Sequence, residues 1–412
     1  MTPELMKRIE NDLHVQGTRP GPPPGFPALP EIPAGRYIDE KFYDLEMEHI
    51  WKKSWLMAAR EEDVAKPGDY MLFKKLGPSV VIVRGKDNVV RAFYNTCKHR
   101  GAKLVKDECG STRLLRCQYH SWAYDFEGKL VNVPDEEDFC GLDREASALT
   151  PVKCATWGGW IFLNFDMNAG SLEEAYGPLF AEWNYLNMKK LRIIHRFSQV
   201  IDCNWKAAVD AFQETYHLRT IHAPTIGKAL NYKACSIGLL PGGHSRMITD
   251  YHPWAKETLG LDAPDTPQIP EANDLLRHSS SSWFAFPHIV TPFRFTCLTF
   301  QIYWPISVNQ CELQLIGIGP DWGEGEPPAF WEGANKRFQT VLAEDWDNLF
   351  SIQQSMESGV LSGMRLNYQE RRLYWTHEEI DRRIGVDRIP AQYRVKPMLG
   401  SWVEEPMQLA AE

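Results

Sequence analysis

The sequence predicts an α+β chain: a small all-β unit, then a larger unit in which helices pack on a sheet. Three observations carry this. Between Gly68 and about Phe165, apolar residues fall in short runs separated by turn residues. Residues 203–224 and 336–356 instead repeat at helical spacing. Between those helical stretches lie aromatic, strand-like runs at Trp283 to Phe286, Phe293 to Trp304 and Cys311 to Ile318. A length of 412 residues gives room for roughly two or three domain-sized units and ample core.

Taken in order, residues 1–36 form an N-terminal arm. Its stretch QGTRPGPPPGFPALPEIPAG at 16–35 reads equally as an extended arm over a surface or neighbouring subunit, or as a disordered tail. The first unit spans 37–168 and opens on a short helix at 39–54. In it, Ser79 to Arg84, the turn Gly85-Lys86-Asp87-Asn88 and Val89 to Tyr94 read as a hairpin. Trp157 to Phe165 reads as a returning strand. Residues 171–188 look helical and bridge to the second unit, which spans 169–412. No internal repeat is visible.

Composition excludes several classes. The net charge of −9 makes nucleic acid and anionic membrane surfaces poor partners. No stretch approaches the roughly 20 apolar residues of a membrane span. The start, MTPELMKRIENDLH, lacks an apolar signal core, so a cytoplasmic setting is expected. Nine scattered cysteines argue against a disulfide frame; seven of them, 109, 140, 154, 203, 235, 297 and 311, read as buried thiols without chemistry.

The chemistry concentrates first in CKHRGAKLVKDECGSTRLLRCQYH, residues 97–120. Cys97-Lys98-His99 and Cys117-Gln118-Tyr119-His120 are two loops, each with one thiol and one imidazole, spaced so that a hairpin can bring them together. Four soft or borderline ligands can hold tetrahedral zinc. Zinc motifs, however, usually pair Cys with Cys and His with His. One of each on both arms suits a two-iron cluster, with thiolates on one iron and histidines on the other.

A second constellation lies in CNWKAAVDAFQETYHLRTIHAP, residues 203–224. Asp210, Glu214 and His217 follow i, i+4, i+7 and share one face of the predicted helix. His222, five residues on, is about 140° further round. Pro224 disfavours helix at Ala223, so His222 is expected at an unravelling helix end, beside a widened turn. Two histidines need a carboxylate to complete a non-heme iron triad. Helix 336–356 offers Glu344, Asp345 and Asp347. Asp345 aligns with Leu342, Leu349 and Ile352, an inward apolar stripe where a lone carboxylate is costly unless paired or metal-bound. Glu344 and Asp347 fall on polar faces. The competing reading, three solvated helix charges, is the usual fate of acidic runs.

These motifs, with His99-Arg100-Gly101, Tyr119-His120-Ser121-Trp122, Asn204-Trp205-Lys206 and the acidic run at 344–347, resemble the Rieske non-heme iron oxygenases, catalytic (alpha) subunit. The resemblance runs from about residue 37 to 360, and all seven ligand positions are filled. It departs at Gln118, more often proline, and at Asp210, usually asparagine. It implies a Rieske domain and a catalytic domain of helix-grip type, an antiparallel sheet covered by helices. The implied cofactors are a [2Fe-2S] cluster on Cys97, His99, Cys117 and His120, and Fe(II) on His217, His222 and Asp345. Glu214 becomes the link between the two metal sites across a subunit boundary. The implied reaction uses O2 and electrons from NADH, delivered by a separate reductase or through a ferredoxin. It hydroxylates an aromatic or polycyclic substrate, as monooxygenase or cis-dioxygenase in aromatic hydrocarbon catabolism. Oxidative demethylation or attack on a quaternary ammonium compound is the alternative within the family. A homotrimer is implied, with or without a β subunit. A pure electron carrier would need only the first constellation, in about 100 residues, and a zinc-stabilised interaction module would need neither iron site.

Overall fold

The computed structural model describes residues 1–258 and 266–405, so parts of the expected second unit, 259–265 and 406–412, lie outside the described residues. The chain groups into two compact units, Trp51–Leu172 and Met1–Ile50 with Glu173–Glu412.

In the smaller unit an antiparallel sheet of seven strands runs Leu56–Arg60, Trp160–Asn164, Pro151–Trp157, Val90–Tyr94, Val80–Arg84, Asp69–Phe73, Cys109–Ser111. The expected hairpin is present, with Val80 opposite Tyr94 and Arg84 opposite Val90. Its turn is held by the Gly85 and Val89 backbones, and Asn88 accepts the left-handed conformation, φ 63°. The run at Trp157 is itself a hairpin. Gly158 and Gly159 turn with φ 58° and 78°, and only Trp160–Asn164 returns. A three-stranded sheet, Leu115–Arg116, Ala123–Tyr124 and Leu130–Asn132, carries the second ligand loop. Trp122, Tyr124, Phe126 and Leu130 bury it against the first sheet's Val81 and Phe93.

The larger unit is built on another seven-stranded antiparallel sheet, ordered Arg192–Ile201, Gln310–Gly319, Cys297–Ser307, Ile289–Arg294, Ser279–Ala285, Ser245–Tyr251, Leu230–Leu239. The run Phe293 to Trp304 is two strands and not one. Arg294 pairs with Cys297 across a two-residue turn, so the chain folds back on itself. A helix over Ala329–Glu357 packs on strand Arg192–Ile201, with Trp346 stacked on Phe197 at 6.3 Å and 8°. Along it Leu342, Asp345, Leu349, Gln353 and Met356 are buried. Ile352, expected in that stripe, is 39% exposed, because it stands about 60° from Leu349 at the stripe's margin. The predicted bridging helix is Leu172–Trp183, followed by two short helical turns.

Two parts of the N-terminal segment differ from expectation. Pro3–Thr18 is a helix, started by Thr2, whose side chain accepts from Leu5 N. Leu5, Ile9 and Leu13, one face of it, are buried against strand Leu230–Leu239, each worth roughly 1.5–3 kcal/mol of burial at most. Beyond it Phe26 packs edge-on to Tyr368 and Trp402, and Ile32–Pro33 pairs with Gly363–Met364. Second, residues 37–50 group with the larger unit and not with the first. Buried polar pairing ties them there: Glu46 meets Lys206 at 2.8 Å, Tyr37 donates to Asp210 at 2.6 Å, and the adjoining Arg36 meets Asp381 at 2.6 Å. Buried ions hold their position only with such partners. No helix among the described residues is long and apolar enough to cross a membrane.

Candidate functional site

The two ligand loops of the smaller unit are built alike. Cys97 N donates to Ala102 O and Gly101 N to Cys97 O, at 2.8 and 2.9 Å; Cys117 N donates to Trp122 O and Ser121 N to Cys117 O, at 2.8 and 3.0 Å. The fourth residue after each cysteine is left-handed, Gly101 at φ 79° and Ser121 at φ 58°. Two turns with the same backbone hydrogen bonds thus present one cysteine and one histidine each. Both thiols are buried, and the His99 and His120 rings meet edge to face at 4.6 Å and 71°. Trp122 stacks on His99 at 4.9 Å and 11°. Burial raises the Cys97 thiol, offset by its contact with Tyr124, whose hydroxyl lies 3.4 Å from the sulfur and accepts from Lys98 N at 3.0 Å. His120 Nδ1 is buried with no hydrogen-bond partner. Inward thiols, outward imidazoles and an orphaned ring nitrogen fit a [2Fe-2S] cluster held as two Cys on one iron and two His on the other. The five other cysteines described as buried or half-buried are 154, 203, 235, 297 and 311; Cys109, on an edge strand, and Cys140, in a loop, are exposed, against expectation.

In the larger unit the helix predicted over Asp210–His217 stops early. Asn204 caps a helix of six residues, Trp205–Asp210, and turns follow. Past Asp210 the backbone tightens, Phe212 N donating to Val209 O and Gln213 N to Asp210 O, and Glu214 Oε2 then accepts from Tyr216 N and His217 N, starting a new turn where a continuous helix would need a backbone carbonyl. At the other end Gly227 N reaches back five residues to His222 O at 2.7 Å, a widened turn of the kind expected. The break brings His217, His222 and Asp345 together, with one ligand atom of each inside 4.8 Å.

Two carboxylates set the imidazoles. Glu214 Oε1 takes the Nδ1 hydrogen of His217. Glu344 Oε2 takes that of His222 at 2.6 Å and is held by Thr225 Oγ1 at 2.8 Å. Each ring therefore turns Nε2 inward: His217 Nε2 lies 3.8 Å from Asp345 Oδ1, and His222 Nε2 lies 3.5 Å from Asp345 Oδ2. Asp345 is 3% exposed, and its Oδ2 has no hydrogen-bond partner. Burial alone would lower both imidazoles, but Glu214 on His217, and Asp345 with Glu344 on His222, raise them above the usual value. An inward nitrogen pair and a buried carboxylate with one oxygen free of hydrogen bonds fit a divalent cation, with the outer carboxylates raising ligand basicity. Sequence reasoning missed Glu344, which sits among polar helix residues while its partners lie far away in the chain.

A cavity of about 90 Å³ adjoins this group, lined by His217 and His222, by apolar Phe212, Val290, Phe293 and Val341, and by polar Gln301 and Arg294.

Comparison with known proteins matches residues 54–153 to the Rieske [2Fe-2S] domain and residues 188–386 to the ring hydroxylating alpha subunit (catalytic domain). This chain joins a Rieske domain to a ring-hydroxylating catalytic domain. It is 34% identical over 206 residues to the carnitine monooxygenase oxygenase subunit of Escherichia coli K12, covering 48% of this chain and 55% of that protein. It is 35% identical over 200 residues to the benzene 1,2-dioxygenase alpha subunit of Pseudomonas putida, covering 45% and 42%. The chain thus spans about half the length of the curated relatives it matches. Among solved structures, a quaternary ammonium Rieske monooxygenase in complex with L-carnitine superposes with TM-score 0.72 at 22% identity, over 88% of this chain and 99% of that one. Naphthalene 1,2-dioxygenase from Rhodococcus sp. gives 0.70 at 20%, over 93% and 98%. The fold is therefore that of Rieske oxygenases, with a curled antiparallel sheet and covering helices in the catalytic domain.

Within the catalytic domain Asp210 finds its place in a buried chain of hydrogen bonds. Arg36 Nε donates to His377 Nδ1 at 2.9 Å, His377 Nε2 meets Tyr37 Oη at 2.7 Å, and Tyr37 Oη meets Asp210 Oδ2 at 2.6 Å. Since arginine can only donate, His377 must carry its hydrogen on Nε2 and Tyr37 must donate to Asp210. Burial pushes the Asp210 carboxyl up to about 7, against the pull of Tyr37 and Lys206.

Proposed function

We propose that this protein is the oxygenase component of a Rieske non-heme iron system, with the [2Fe-2S] cluster on Cys97, His99, Cys117 and His120, and Fe(II) on His217, His222 and Asp345. The observation that carries the reading is the inward Nε2 pair facing a buried carboxylate whose Oδ2 has no hydrogen bond, in one chain with two matched Cys/His loops. When bound, the cluster supplies single electrons and the mononuclear iron supplies the site of O2 reduction. The chain's own residues do the rest. Glu214 and Glu344 fix the two imidazoles, Asp345 closes the ligand set, and the apolar cavity wall orients the substrate and excludes water.

Glu214 also links the two metal sites, accepting from His99 or His120 of a neighbouring copy in a homotrimeric ring, with or without a β subunit. Electrons come from NADH through a reductase, directly or by way of a ferredoxin. The balance is substrate, O2, NADH and a proton giving either an alcohol and water, or a cis-diol, with NAD⁺. The apolar lining supports a small aromatic substrate. A cavity of about 90 Å³ is too small to enclose a polycycle and favours one ring or a short chain. Likeness to carnitine monooxygenase subunits supports a second reading, attack on a quaternary ammonium compound. The seven cysteines outside the cluster loops stand as free thiols, which supports a cytoplasmic setting.

The test is turnover under ¹⁸O2 with NADH and a reductase, on a panel of aromatic acids, arenes, aryl ethers and betaines. Label should enter a product only when NADH, reductase and protein are all present. Cluster oxidation and reduction without labelled product across the panel would favour a pure electron carrier.

A further inference from the structure

Arg294 ends the strand Ile289–Arg294 and lines the cavity beside His217 and His222. It also lines an adjoining cavity, sharing Pro292 and Phe338 between the two, where Arg337 adds a second cation. Buried Arg36 meets Asp381, and Arg246 meets Glu182 and Glu404, whereas Arg371 and Arg372 are held by backbone carbonyls and Ser245 Oγ and line neither of these cavities. Among the described residues Arg294 meets none; its guanidinium lies over the Phe338 ring at 5.7 Å. It cannot shed its charge near neutral pH. The acid among the cavity's lining residues, Glu214, is committed to His217. A half-buried guanidinium with no acid, facing an apolar cavity beside the metal ligands, lacks an anion.

We propose that Arg294 is a specificity-determining residue that binds a carboxylate of the substrate, so that this site takes small organic acids and not neutral hydrocarbons. The inference rests on the oxygenase reading of the same cavity and narrows it to a substrate class. A planar guanidinium matches a carboxylate in two parallel hydrogen bonds, while Phe212, Val290 and Phe293 take the apolar body. Both an aromatic acid and a betaine carry that carboxylate. Their difference lies at the other end of the molecule, where the cavity offers aromatic faces.

The test is anaerobic equilibrium binding to the holoprotein, with matched probes: benzoate against benzamide, and γ-butyrobetaine against its amide. At least one acid should bind about tenfold or more tightly than its amide, and the pair that shows it separates aromatic from betaine. Arg294→Gln should collapse that ratio about tenfold, with iron content and cluster spectrum unchanged, and Arg294→Lys should restore part of it. No acid binding more tightly than its amide, or a ratio unmoved in Arg294→Gln, overturns the proposal. Acid binding that depends on Arg294 without any O2 consumption would instead sink the oxygenase reading alone. Turnover of neutral arenes at equal rates in wild type and Arg294→Gln would sink the carboxylate proposal and leave the oxygenase standing.

Discussion

Asp345→Ala should leave the cluster's colour and spectrum intact while weakening mononuclear iron binding by about 100-fold or more and abolishing oxygenation. Loss of an outer partner of a ligand typically costs about 10–100-fold in metal affinity, and loss of a ligand costs more. Asp345 is 3% exposed between Leu342 and Leu349, and both imidazoles turn Nε2 toward it. Nothing else in its surroundings can replace it, because Glu344 is held by His222 and Thr225. The fold should survive, since the variant removes a buried carboxylate whose Oδ2 has no partner. Asp347→Ala, two residues on and exposed, should keep most activity. Iron analysis and visible spectra of both variants check this; reversed phenotypes would show that the wrong carboxylate was assigned.

Glu214→Gln should keep both metals yet slow reoxidation of the reduced cluster by at least about tenfold, or ~1.4 kcal/mol of barrier. The amide is nearly isosteric, so it can still cap the turn at Tyr216 and His217. It cannot, however, hold His217 and a neighbouring cluster histidine with the strength of a charged acceptor. A merely local ion pair of Glu214 with Arg219 has no support in the geometry: Arg219 donates to Tyr232 Oη at 3.2 Å and lies over the Tyr216 and Tyr232 rings. Stopped-flow spectroscopy of reduced, metal-replete protein with substrate and O2 reads the step directly. Cluster reoxidation at the wild-type rate would leave Glu214 with no function beyond positioning His217.

How far the sequence could be read depended on the range of the interactions. The cluster loops were legible because ligand identity and spacing lie within 24 consecutive residues. The hairpin at Val80–Tyr94 was legible because its turn residues demand a left-handed Asn88. The burial of Asp345 was legible because a helix fixes which residues share its face. The helix through Glu214 was not, since a side chain that caps Tyr216 and His217 competes with helical continuation, and spacing alone cannot see that competition. Nor was Glu344, whose role appears only when His222, 122 positions earlier, folds against it. The N-terminal helix carried its signals in Thr2-Pro3 and in Leu5, Ile9 and Leu13, but a charged start masked them. The boundary at residue 37 failed because the partners of Arg36 and Glu46 are Asp381 and Lys206, remote in sequence.

The most direct measurement of the central claim, two different iron sites in one chain, is a count of iron, acid-labile sulfide and zinc per chain in purified protein. The account predicts red-brown protein with about two irons and two labile sulfides from the cluster, plus about one further iron that is lost in Asp345→Ala and kept in Cys117→Ser. Stoichiometric zinc with no labile sulfide would contradict it outright.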